Sequence, residues 1–577
     1  MNFHPIHKWC AVVALATFVA TVSVNEALFA QLEPAQVEQD MQVLTRGPVH
    51  EAFAETVTYD PEPGIVTPTA PPAAIEEIPP EQRLEGDNVA WIPGYWAWDD
   101  ERNDYLWISG IWRALPPGRQ WVPGYWSNAG QEYQWTSGYW ADAQASEVEY
   151  LPEPPATVEA GPNIAAPSAD HTWLPGCWIW QQNRYAWRPG YWATVQPDWV
   201  WIPARYVWAP RGYVFVDGYW DYSVGRRGML FAPVYFNRSV YGRRGFSYTP
   251  RTVIDLGVFA NHLFFRPRYQ HYYFGDYYAA NYRSAGYYPR YSVNTSRFGY
   301  DPFYAHDRWR YRQDRGWEQR QLTEFQNFRD NEGARPPRTW AAYQATSGRA
   351  ARGGDRSPRI AASLEDYSRN TDGSLRFRTV DQSERQRYSQ RAQEVRRLRD
   401  ERLKLETAAT DVRPEGRARQ SAPGRVRFPG SPIRARSGEE LGKDASPPKI
   451  VEAPKPDPKV PATPRARRSL EQPGQPREHT VGRRPLDEPK ARPEVKPQPK
   501  VEQVGPKIQQ QPKAERVAPQ PRREPKAEKA APKPQQQPKA EKAAPRSQQQ
   551  PKAQRAARQP RQEATKQSKQ DKSKGKD

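Results

Sequence analysis

The apolar positions of this chain fall into blocks with different periods. Residues 11–24 form an uncharged run of 14. That suits the core of an export signal and is shorter than the ~20 residues of a membrane-spanning helix. His4, His7 and Lys8 precede the run. Leu28-Phe29-Ala30 before Gln31 forms a cleavage site, with Leu28 larger than the small residue usual there. Cys10 lies ahead of the run and so is not a lipoprotein cysteine. Residues 1–30 therefore read as a signal peptide cut between Ala30 and Gln31. Residues 31–85 turn to Pro- and Glu-rich text, such as Tyr59-Asp60-Pro61-Glu62-Pro63 and Ala70-Pro71-Pro72. Low apolar content predicts a solvated linker there.

From residue 86 the apolar pattern becomes periodic. WIPGYW begins at Trp91, WISGIW at Trp107, WVPGYW at Trp121 and WTSGYW at Trp135. After an insert come WLPGCW at Trp173, WRPGYW at Trp187, WIPARY at Trp201 and FVDGYW at Phe215. Successive copies within a block are 14 residues apart, except for one step of 16. Such spacing marks one supersecondary unit stacked on its own copies. Turn residues recur between motifs, at Asp99-Asp100…Asn103, Pro116-Pro117-Gly118, Asn128-Ala129-Gly130, Gln182-Asn183 and Pro210-Arg211-Gly212. About eight to ten residues remain for each strand, and Trp, Tyr, Ile and Val suit a pleated surface.

Within a motif the two Trp are five apart, which in a regular strand points them to opposite faces. A bulge at Pro/Ser-Gly would restore both rings to one face. The rival construction makes Pro-Gly a hairpin tip with Trp91 opposite Trp96. Pro-Gly turns match strand twist poorly, which favours the bulged strand. The prediction is two four-stranded antiparallel meanders, residues 86–145 and 168–225, joined by an acidic Pro-rich insert. The fold class is mainly β, followed by a short helical segment and a long disordered tail.

The candidate site is aromatic: Trp91, Trp96, Trp107, Trp112, Trp121, Trp126, Trp135, Trp140, Trp173, Trp178, Trp187, Trp192, Trp201 and Trp220. Exposed, such rings stack on sugar faces or cations. Buried, they form the core of a domain with little else to bury, and the core reading is favoured.

Residues 226–320 are Tyr- and Arg-rich, as in Tyr272-Tyr273-Phe274-Gly275-Asp276-Tyr277-Tyr278, and are expected to pack on the repeats. Residues 321–410 read as a linker holding a helix at 381–409. Asp381 and Glu384 form its capping box, and Tyr388, Ala392, Val395, Leu398 and Leu405 form its apolar stripe. Residues 411–577 contain 29 Pro and no Trp or Tyr, and predict a disordered chain. Pro-Lys-Ala recurs there every 13 residues, at Pro512, Pro525, Pro538 and Pro551.

Charge sharpens the division. Residues 411–577 carry 41 Lys/Arg against 20 Asp/Glu, so the net +19 of the 577-residue chain belongs wholly to its tail. Spread cations bind polyanions by counterion release. With two Cys a disulfide-built fold is excluded, and Cys177 is the one thiol left after cleavage. The motifs of serine hydrolases, zinc peptidases, P-loops and dinucleotide folds are absent.

The motifs, with Tyr105-Leu106-Trp107, Tyr133-Gln134-Trp135 and Tyr185-Ala186-Trp187, resemble the YXWGXW (WXXGXW) repeat family of exported bacterial proteins, and the Tyr/Arg continuation resembles planctomycete members. The seventh copy departs with Ala204 for Gly and Tyr206 for Trp, the eighth with Phe215. The resemblance implies export and a small β module, and supplies no catalytic residue.

The expectation is an exported, non-enzymatic cell-envelope protein without cofactor, metal, small-molecule substrate or membrane anchor after cleavage. Its tail would meet an anionic envelope polymer. A carbohydrate-binding module is the alternative, and a nucleic-acid binder the third reading should the signal reading fail.

Overall fold

Two motifs, not one, make the smallest folded piece. In the computed structural model, which describes residues 40–294, 298–353, 359–369, 376–408, 424–436 and 453–463, consecutive motifs run antiparallel as a two-stranded ribbon. The expected signal peptide and its Ala30/Gln31 junction lie outside the described residues. In the first unit Val89–Ile92 pairs with Ile111–Ala114, and Tyr95–Asp99 with Asp104–Ile108. The ladder lapses at Pro93-Gly94 and Ser109-Gly110 between the two halves.

The register excludes the bulge. Ile92 faces Ile111 before the break and Tyr95 faces Ile108 after it, so each strand advances by three residues. The other units repeat this. Val122 faces Tyr139 and Tyr125 faces Thr136; Leu174 faces Tyr191 and Cys177 faces Arg188; Ile202 faces Tyr219 and Arg205 faces Val216. A bulge needs one extra residue on one strand, and none is present. The hairpin alternative fails as well, because Trp91 faces Trp112 and Trp96 faces Trp107. Nor do the two rings of a motif share an environment. Trp91 and Trp112 pack with Met229, Phe231 and Val253, whereas Trp96 and Trp107 pack with Val234, Phe236 and Val240. The even-faced strand was the wrong premise, so two four-stranded meanders are replaced by four bent ribbons.

The turn residues sit where their chemistry requires. Gln182 and Asn183, both at positive φ (49° and 58°), close the two-residue hairpin between Gln181 and Arg184, whose mirror-image turn matches strand twist. Pro210-Arg211 closes the fourth unit's hairpin before Gly212. Pro116-Pro117-Gly118 instead connects the first unit to the second.

Strands from outside the repeats cover the ribbon edges. Gly228–Met229 and Val234–Phe236 flank the first unit, with Met41–Val43 beyond. Val66–Thr67 adds to the second unit, and Glu147–Leu151 then Gly424–Arg427 to the fourth. In the third unit, an isolated bridge joins Trp187 to Asp457. The tail expectation thus lies mostly outside the described residues, but 424–436 and 453–463 within it are placed on the body, with Ile433 and Ala435 buried.

Residues 40–85 are not a solvated linker. Val49, Ala52, Phe53, Ala54 and Val57 are buried in the main core with Trp121, Trp140 and Phe265. Average composition hid this, because the segment delivers its apolar residues one short strand at a time. Residues 226–320 lie against the repeats: Ser109 Oγ donates to Ala232 O (2.7 Å), and Tyr300 Oη to Trp173 O (3.0 Å).

The helix read at 381–409 spans Gln382–Thr407, and Asp381 accepts from Glu384 N–H (2.8 Å) as its N-cap. Ala392, Val395 and Leu398 are buried as the stripe requires, but beyond them Arg402 and Glu406 are fully buried while Leu405 is only partly so. No helix among the described residues is long and apolar enough to cross a membrane.

Asp301 caps the helix Pro302–Arg310 through Tyr304 N–H (2.9 Å), while its Oδ2 is buried without a partner. Burial pushes its carboxyl up to about 6. A folded-state value above the unfolded one means stability present at acid pH and lost as pH rises through about 6. Asp301→Asn keeps the capping oxygen. The variant's unfolding free energy, relative to the parent, should therefore rise between pH 4 and 7. A constant difference across a urea-denaturation pH series would contradict this.

Candidate functional site

The predicted aromatic residues form eight cross-strand ring pairs, two per unit. Trp91–Trp112, Trp96–Trp107, Trp121–Trp140, Trp126–Trp135, Trp173–Trp192, Trp178–Trp187, Trp201–Trp220 and Tyr206–Phe215 all have centroids 5.2 to 5.5 Å apart. Tilted and edge-on pairs at this distance add about 0.5–1.5 kcal/mol each beyond area burial. Trp91, Trp96, Trp107, Trp112, Trp121, Trp135, Trp140, Trp178, Trp187 and Trp220 are buried; Trp126, Trp173, Trp192 and Trp201 are half-buried. The first two units present almost no ring to solvent, and the third and fourth present several edges.

The motif glycine has one recurring reason. A Cβ on Gly110 would meet Trp91 Cζ2 at 2.5 Å; on Gly124, Trp135 Cζ2 at 2.6 Å; on Gly138, Trp121 Cζ2 at 2.6 Å; on Gly176, Trp187 Cζ2 at 2.5 Å; on Gly190, Trp173 Cζ2 at 2.4 Å; and on Gly218, Trp201 Cζ2 at 2.5 Å. Each motif's first indole therefore lies across the partner motif's glycine. The departures in copies seven and eight obey the same geometry. The fourth unit's register sets Phe215 against Ala204 as Trp187 is set against Gly176. A smaller ring accompanies the added methyl.

The ladder break frees main-chain groups, and residues outside the repeats satisfy them. Glu77 accepts from Gly94 N–H (2.8 Å), Gly110 N–H (2.9 Å) and Trp107 Nε1–H (3.1 Å). Glu51 accepts from Gly138 N–H (2.9 Å) and Trp135 Nε1–H (3.0 Å). Glu159 accepts from Gly176 N–H and from Trp173 Nε1–H (3.1 Å). All three carboxylates are buried. Burial pushes the Glu51 and Glu77 carboxyls above the usual range, against the pull of their N–H donors.

Carbonyls freed at the break are met by cations and a histidine. Arg402 Nη1 donates to Pro123 O (2.9 Å) and Ser137 O (2.8 Å), and Arg119 Nη2 to Gly218 O (3.0 Å). His50 Nε2–H donates to Pro93 O (3.1 Å) while its Nδ1 accepts from Ala52 N–H (3.1 Å), the uncharged tautomer. Burial pushes His50 down to about 3. Arg402 is itself held by Glu406 (3.0 Å), which accepts from Tyr125 Oη (2.6 Å) and Tyr150 Oη (2.8 Å).

Sequence reasoning missed Glu51, Glu77, Glu159 and Arg402. One signal was present for two of them: a Glu stands fourteen residues before the first Trp of each block, Glu77 before Trp91 and Glu159 before Trp173. Cys177 occupies a Tyr position of its motif, and burial pushes its thiol up to about 11, far from a nucleophile's range.

A family model described as a WXXGXW repeat in two copies matches residues 86–113, 121–141, 169–193 and 197–221. No curated protein matches the chain, and no solved structure does. Each matched stretch spans one ribbon of two motifs, so the sequence unit and the folded unit coincide. Between residues 86 and 221, therefore, this chain carries copies of the WXXGXW repeat.

Proposed function

We propose that this is an exported, non-enzymatic cell-envelope protein whose Trp-repeat body is a scaffold and whose basic tail holds an anionic envelope polymer. The observation that carries the scaffold reading is the pairing of the motif rings with one another, which commits most of them to the core. The tail reading rests on charge: residues 473–577 carry 27 Lys/Arg against 12 Asp/Glu. Cations spread along a Pro-rich chain bind by counterion release, so affinity falls steeply with salt.

A glycan-binding reading is favoured by a separate observation, the half-buried Trp173, Trp192 and Trp201 of the third and fourth units. One experiment separates the two. Isolated envelope material is mixed with the full chain and with a chain ending at Gln472, at low and high salt. Tethering through the tail predicts capture of the full chain alone, reversed by high salt. Capture of both chains at both salts, with quenched Trp fluorescence, would replace tethering by glycan recognition.

A further inference from the structure

The three buried glutamates share more than their burial. Each arrives on a segment outside the motifs, Glu77 on a short strand, Glu159 on irregular chain and Glu51 in a turn, and each segment also offers a main-chain carbonyl to a second indole of the same unit. In the first unit Trp107 Nε1–H meets Glu77 and Trp96 Nε1–H meets Ala73 O (2.9 Å). In the third, Trp173 meets Glu159 and Trp178 meets Ala156 O (3.0 Å). In the second, Trp135 meets Glu51 and Trp140 meets Ala52 O (3.2 Å). The donors for the carboxylate are the same pair each time: the indole of a motif's first Trp and the N–H of the glycine three residues on. The residues that define the repeat are therefore the residues that hold the acid.

The fourth unit is the internal control. Phe215 brings no N–H, and Gly218 N–H is taken by the adjoining Asp217 (2.8 Å), which stands where other motifs have Pro or Ser. Among the described residues no glutamate from outside the repeats bonds to this unit's glycine, and the unit's face at Trp201, Ala204 and Phe215 is half-buried. A glutamate from outside the repeats, Glu55, reaches this unit through Tyr219 Oη and the Arg205 guanidinium, not through a motif glycine.

We propose that the paired motif is a recognition module for a glutamate on an Ala-containing peptide segment, and that residues 73–77, 51–52 and 156–159 are its intramolecular ligands. The carboxylate is bound by an indole N–H and a glycine N–H, in the manner of an anion held by convergent main-chain donors.

The test uses the full chain and acetate as the probe. Glu159→Ala opens the socket of the third unit, which lies near the surface beside the half-buried Trp173. Its melting temperature, followed by Trp fluorescence, should drop below the parent's and recover saturably with sodium acetate. Sodium chloride at equal ionic strength should not restore it. Asp217→Ala, in the motif that begins with Phe215 and so lacks the indole donor, should respond to both salts alike. Equal effects of acetate and chloride on Glu159→Ala, or equal acetate effects on parent and variant, would overturn the proposal. Should Glu159→Ala fail to fold, Glu159→Gln decides. It retains the volume but turns a donor towards the socket's N–H groups, so a Gln variant as stable as the parent would also overturn it.

Discussion

Glu77→Ala is expected to lower the unfolding free energy by about 3–5 kcal/mol, measured by chemical denaturation. The carboxylate is the shared acceptor for Gly94 N–H, Gly110 N–H and Trp107 Nε1–H. Ala leaves all three donors buried without an acceptor, at about 1–3 kcal/mol for each orphaned group. The figure stays below three times that range because such losses are not additive and water can enter the space left behind. The charge itself contributes little, since desolvation opposes it and has raised the carboxyl's pKa. Exposed Glu62, substituted in the same way, should change stability by no more than about 0.5 kcal/mol. A Glu77→Ala loss of that small size would show that the break does not depend on its acceptor.

The second large effect is a substitution toward the repeat consensus that destabilises. Phe215→Trp restores the residue found at this position in the other seven motifs, yet should cost about 1–3 kcal/mol by overpacking. Elsewhere the first indole lies 2.4 to 2.8 Å from where the partner glycine's Cβ would be, and here the partner is Ala204. Adding Ala204→Gly should recover much of the loss, so the double-mutant cycle should show a coupling of about 1–2 kcal/mol. The reciprocal holds in the third unit: Gly176→Ala should be less harmful in a Trp187→Phe background. Additive effects in the fourth unit would mean that the two departures are unrelated.

How far the fold could be read from the chain depends on the range of the interaction. The turns at Gln182-Asn183 and Pro210-Arg211 are local, set by the conformations two residues can adopt, and they lie at the hairpin tips. The N-cap at Asp381 is equally local. The Pro/Ser-Gly break was visible as an anomaly but explained wrongly, as a bulge, on the premise that both rings need one face. That premise fails because strands from residues 228–236 and the apolar residues of 44–57 bury the ribbon in more than one core. The Pro- and Glu-rich segment 31–85 was misread for a related reason. Composition averages over residues, whereas one buried Glu can satisfy three donors that composition cannot see.

The sequence alone determined the repeat, its β character, the turn positions, the helix at 382–407 and the separation of an aromatic body from a cationic tail. Each of these follows from short-range periodicity, local propensity or charge per length, which need no knowledge of distant residues. The tertiary structure decided that two motifs make one unit, that most of the tryptophans are core, and that Glu51, Glu77, Glu159 and Arg402 close the breaks. These are pairings between residues 14 to 281 positions apart, such as Trp173 with Glu159 at 14, Gly94 with Glu77 at 17 and Tyr125 with Glu406 at 281. A donor freed from a sheet ladder must find an acceptor, but which one is settled only when the chain has brought a buried carboxylate within about 3 Å of it.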